Sequence, residues 1–199
     1  QLGDEGLAAI AKAPCLHRLR HLMVERNEIG FEGIGALTQS RTLGSLRSLQ
    51  LGSNRLSVDA AEALASFASR VGVTFLDLKR TGLEDEAVAR IVDKGALKKL
   101  KTLDLSNNRI TDQSLEHLAA SEDFGTMNQL IARAYDVRGE GVRALLESPH
   151  VEHIESLMLR KTRVAPEAWE QMVDHRKLGA VTRFHAFKYL VHRQGGSWN

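Results

Sequence analysis

An eleven-residue frame recurs through this chain at a fixed interval. Its clearest copy is Leu100-Lys-Thr-Leu-Asp-Leu-Ser-Asn-Asn-Arg-Ile110, which reads L-x-x-L-x-L-x-x-N-x-I. The frame opens also at Leu19, Leu46, Val73, Met127, Ile154 and Val181, so successive copies are 27 residues apart. Positions 1, 4, 6 and 11 are apolar in all seven copies. A chain that is 43% hydrophobic does not fill every such slot by chance. Alternation at positions 4 and 6 predicts a short strand. A period of this length predicts stacked repeats, because one unit cannot bury its apolar face alone.

The second half of the unit repeats as well. Position 15 is always small (Gly6, Gly33, Ala60, Ala87, Ser114, Gly141, Ala168). Positions 16, 19 and 20 are mostly apolar, and their spacing makes one helical stripe. The small residue is expected to bring that helix close to the strand layer. Ser57 and Thr111 occupy the expected N-cap, and Pro166 sits at the first helical position of its unit. Position 14 is acidic in six of seven copies (Glu5, Glu32, Asp59, Glu86, Glu140, Glu167), which suits the positive end of a helix dipole. Each unit therefore reads as strand, turn, helix and return loop.

These units resemble leucine-rich repeats of the ribonuclease-inhibitor-like class. The lead-ins Leu2-Gly-Asp-Glu-Gly6 and Ile110-Thr-Asp-Gln-Ser114, with the return loop Ser148-Pro-His-Val151, are similar to those of bacterial members with 27-residue units. The resemblance covers essentially the whole chain. It implies an α/β solenoid, or horseshoe, with parallel strands on the concave face and helices on the convex face. It also implies a protein-binding scaffold with no cofactor, and a ladder of turn side chains that pair buried backbone groups. Here the ladder slot holds Asn27, Asn54, Thr81, Asn108 and Thr162, while Tyr135 and Tyr189 are too large for it. Those two turns are expected to be distorted. Repeat three slips before its strand, where Arg70 takes an apolar slot and Val71 substitutes.

One domain is expected over 1–199. Residues 1–18 form a partial N-terminal repeat, 19–180 six full repeats, and 181–199 a partial or capping repeat. The chain opens on Gln1 in mid-repeat, as a fragment or trimmed product would. No apolar run is long enough for a transmembrane helix. One cysteine excludes an internal disulfide and fits a reducing compartment, so a cytoplasmic location is expected. A net charge of +2 argues against a nucleic-acid partner.

Frame positions 3, 5, 7 and 8 should line the concave face. Toward the C-terminal end these bring Ile131, Met158 and Phe187 beside Arg133, Arg160, Lys161, Arg183 and Lys188. Apolar side chains rimmed by arginine mark a candidate protein-binding patch. Asp77 and Asp104 should sit on adjacent strands, but no nucleophile accompanies them. His150 and His153 lack a third metal ligand nearby. No catalytic, cofactor or metal residue is therefore expected. Five of the ten aromatics follow residue 165, as a cap or a self-association surface would require. The expected function is a non-catalytic scaffold or regulator that binds a protein partner. The alternative is the recognition or accessory module of a larger enzyme or effector.

Overall fold

The computed structural model describes residues 1–165 and the strand segments 183–186, 189–194 and 197–198. Helices alternate with short strands: α1 Gly3–Lys12, β1 His21–Met23, α2 Phe31–Gln39, β2 Ser48–Gln50, α3 Val58–Val71, β3 Phe75–Asp77, α4 Asp85–Asp93, β4 Thr102–Asp104, α5 Asp112–Ala120, β5 Gln129–Arg133, α6 Glu140–Glu147 and β6 Ser156–Arg160. β7 (Arg183–Ala186), β8 (Tyr189–Gln194) and β9 (Ser197–Trp198) follow. The strands form one sheet in chain order.

Pairing from β1 to β7 is parallel, and the partners hold one register: His21 lies opposite Ser48, then Phe75, Thr102, Gln129, Ser156 and Arg183 in turn. Parallel neighbours need a crossover, and each strand-to-strand helix supplies it. At the far end β7–β8 and β8–β9 pair antiparallel, so the sheet reverses there. Tyr189 accordingly lies in a strand of the reversed segment and not in a ladder turn.

The core lies between sheet and helices. Leu49, Leu76, Leu103, Leu130 and Leu157 at position 4 are fully buried, as are Leu64, Leu118 and Leu145 from the helices. Most return segments tighten into short 3-10 turns, such as Leu43–Ser45 and Ala96–Lys99. The return into repeat three differs. α3 runs on to Val71, and Gly72 closes it in the left-handed conformation at φ 83, with its N–H donating to the Ala68 carbonyl. The slip at Arg70 is thus a longer helix, with Val71 in the apolar slot and Arg70 stacked 5.4 Å from the Phe67 ring.

The small residue at position 15 has a cause other than the expected one. A Cβ on Gly141 would lie 2.6 Å from the Asp112 carbonyl oxygen, and one on Gly33 would lie 3.1 Å from the Asp4 Cα. Those atoms belong to the first turn of the preceding helix. Close approach is therefore between neighbouring helices, not between helix and strand layer. The same first turns carry a second ladder. Asp4 accepts from the Gly30 N–H at 2.7 Å, and Asp112 accepts from Arg138 and Gly141 N–H, both at 3.0 Å. Asp85 accepts from the Thr111 N–H at 2.8 Å, from its hydroxyl at 2.7 Å, and from the Ser114 hydroxyl. These aspartates, at position 13, tie the starts of α1, α4 and α5 each to the unit that follows.

Candidate functional site

The strand-to-helix turns set the geometry of the exposed strand face. Asn54 Oδ1 accepts from Asn27 N–H at 2.9 Å and Ile29 N–H at 3.0 Å, while its Nδ2 donates to the Val24 and Leu51 carbonyls. Asn108 does the same for Thr81, Gly82 and Leu83 N–H and for the Leu78 and Leu105 carbonyls. Asn27 takes the Leu2 N–H at 2.9 Å. Thr81 donates to the Leu78 carbonyl of its own turn at 2.7 Å and reaches Asn108 Oδ1 at 3.3 Å, but ties no group of the turn before it. Thr162 departs from the expectation: its hydroxyl is buried and has no hydrogen-bond partner among the described residues.

The fifth turn is built differently. Position 8 is left-handed at Arg26, Ser53, Arg80, Asn107 and Lys161, with φ between 55 and 62. Ala134 is not. The in–out alternation of β5 continues through it, so Leu130, Ala132 and Ala134 are all buried. Tyr135 is thereby turned outward, at 51% exposure. Its size excludes it from the ladder slot, and the turn straightens to release it. Lys161 Nζ sits 4.6 Å over the Tyr135 ring and donates to its hydroxyl.

On the strand face the register places Ile131 opposite Met158 and Arg133 opposite Arg160. Ile131 and Met158 are half-buried, not fully exposed; Met23, on β1, is the large apolar residue that stands clear, at 65%. Lys161 belongs to the Tyr135 contact, so it is less free than the sequence implied. Arg183 falls on β7, paired in register with Ser156. Phe187 and Lys188 lie outside the described residues. Arg133 Nε is buried and has no acceptor among the described residues, while the Arg133 N–H lies 3.3 Å from Ser106 Oγ.

Asp77 and Asp104 lie opposite each other on β3 and β4. Lys79 Nζ holds Asp77 at 3.0 Å, and this bond raises the Lys79 pKa. Asp104 accepts from the Ser106 N–H at 2.8 Å. Burial pushes its carboxyl above the usual range, and the charge of Asp77 adds to the shift. No group of three or more metal-ligating side chains occurs among the described residues. Cys15 is free and exposed, and no helix among the described residues is long and apolar enough to cross a membrane.

A family model described as a leucine-rich repeat matches residues 45–65 and 96–119. No curated protein matches the chain. Among solved structures, an internalin from Listeria monocytogenes aligns over 94% of this chain and 94% of its own, at 14% identity and a TM-score of 0.23. The matched stretches are repeats two and four, in which Asn54 and Asn108 form the ladder and Ser57 and Thr111 cap the helices. Strand, turn and helix recur in register with them, which defines an α/β repeat solenoid. The fold and the two matched repeats are those of a leucine-rich-repeat protein.

Proposed function

We propose that the chain is a non-catalytic interaction module that binds a protein on its concave strand face, over Ile131 and Met158. Leucine-rich repeats suggest protein interaction in general, and one local observation supports this site. Two apolar side chains and two arginines occupy adjacent strands in register, and neither arginine has an acidic partner among the described residues. An arginine fork can hold a carboxylate with two hydrogen bonds, so an acidic and apolar partner surface fits. Arg183, Phe187 and Lys188 would extend the patch toward the end of the array, and Lys161 would border it.

Binding to a crosslinked and identified partner tests the reading. Met158→Asp and Arg160→Glu should each abolish it while the fold persists. Helix-face changes should leave it intact. Glu62→Lys is an imperfect control, since Glu62 pairs with Lys94 at 2.7 Å and Arg90 at 3.4 Å. Glu116→Lys, on the exposed face of α5, is cleaner. Loss of binding on the helix face alone would move the site to the opposite side.

A further inference from the structure

A groove of ≈ 530 Å³ runs along the strand-to-helix turns of repeats two to four, away from the Ile131–Met158 patch. Its shape follows from one column. Position 10 holds Arg55, Gly82 and Arg109 on three successive turns. Gly82, at φ 80, has no atom within 4 Å of where a side chain would begin. The middle turn therefore leaves a gap walled by an arginine on each side, with Arg80 at its border.

The charges in this gap do not cancel. Arg109 pairs with Glu84 at 3.1 Å, and Glu84 is the one carboxylate in the lining. Arg55 and Arg80 are exposed and have no acidic partner among the described residues. Two positive charges thus face one cleft in a chain whose net charge is only +2. The glycine turn itself offers no free amide, because the Thr81, Gly82 and Leu83 N–H groups are all spent on Asn108 Oδ1. A ring of free amides, as in a phosphate-binding loop, is absent from this glycine turn. Recognition at this gap rests on the guanidinium forks, which match carboxylates in pairs. Neighbouring turns are about 4.8 Å apart, and alternate side chains of an extended peptide about 6.6 Å. The two spacings differ by about 2 Å, which long arginine side chains can span to meet carboxylates at i and i+2.

We propose that this groove binds an acidic, extended segment of a partner protein, through Arg55 and Arg80, as a second surface separate from the strand face. The probe is a capped peptide Glu-Ser-Glu-Ser-Glu-Ser, titrated into the isotopically labelled full chain at moderate salt. Amide shifts should concentrate at Arg55, Arg80 and Gly82. Arg55→Glu with Arg80→Glu should weaken binding at least tenfold, with an unchanged circular dichroism spectrum and melting temperature. Arg55→Gln with Arg80→Gln should give an intermediate loss, which guards against a folding defect in the reversal. Arg133→Glu with Arg160→Glu should leave peptide binding unchanged, so failure here is separable from failure of the strand-face reading. Shifts scattered over the surface or centred on Arg133 would overturn the proposal. So would inorganic phosphate binding at the same residues as tightly as the peptide.

Discussion

Asn108 satisfies five backbone groups from two turns with one side chain, so its loss leaves several buried donors and acceptors unpaired. Each such group costs about 1–3 kcal/mol. Asn108→Ala should lower stability by at least that range in chemical denaturation. Tyr135→Ala should cost under about 1 kcal/mol, because it removes one exposed cation–π contact. Thr162 gives the opposite case. Its buried hydroxyl has no partner among the described residues, so Thr162→Val should hold or raise the melting temperature; a marked drop would show that the hydroxyl has a partner after all. Asp104 has a sign of its own. Its folded pKa lies above its unfolded one, chiefly through burial. The folded chain therefore holds the proton more tightly, and stability falls as pH rises through that window. Asp104→Asn should raise stability at pH 7, and the gain should vanish in acid below the unfolded value.

At the scale of elements, the aspartate ladder and the small residue facing it work together. Gly141→Ala would drive a Cβ into Asp112 backbone, with no flexible side chain to yield. It should cost about 1–3 kcal/mol. Gly35→Ala, in mid-helix with open space around it, should instead stabilise by up to about 1 kcal/mol. Urea titrations of the two variants separate packing from backbone entropy. Asp85 adds a pH signature. Burial alone would raise its carboxyl, but hydrogen bonds from Ser114 and Thr111 outweigh that and hold it below the ordinary value. Its contribution is present above the unfolded pKa and lost as pH falls through the folded one. Asp85→Asn should flatten the acid limb of the stability profile. This ladder was not legible in the sequence, because position 13 mixes Asp4, Phe31, Val58, Asp85, Asp112 and Gly139. The fuller column of acids at position 14 drew the reading instead. The small residues were visible, but what they approach depends on helix-to-helix distance, which one sequence does not encode.

Across the whole molecule, stability is the sum of unit and neighbour terms. Leu103→Ala, at a fully buried central position, should cost about 2–5 kcal/mol. Hydrogen exchange should quicken in repeats three and five as well as four, since their strands share its ladder. The strand register and the helix faces were legible because both are set by apolar periodicity. The exposed patch was only partly so. Register alone brings Ile131 to Met158 and Arg133 to Arg160, but the half-burial of both apolar residues depends on neighbouring side chains. The Tyr135–Lys161 contact and the gap at Gly82 depend on turn geometry, which the frame leaves open.

The gaps in the two ladders also set where the array gives way under tension. Asn27 and Asn54 tie the first two turns and Asn108 ties the fourth to the third, while Asp85 and Asp112 carry the side-chain ties on into repeats four and five. Thr81 ties no group of the second turn, Thr162 has no partner among the described residues, and position 13 offers only Val58 and Gly139 at those two junctions. A stitched sheet tears where stitches are missing. Pulled by its ends, this chain should part first between repeats two and three or between five and six, and not between four and five.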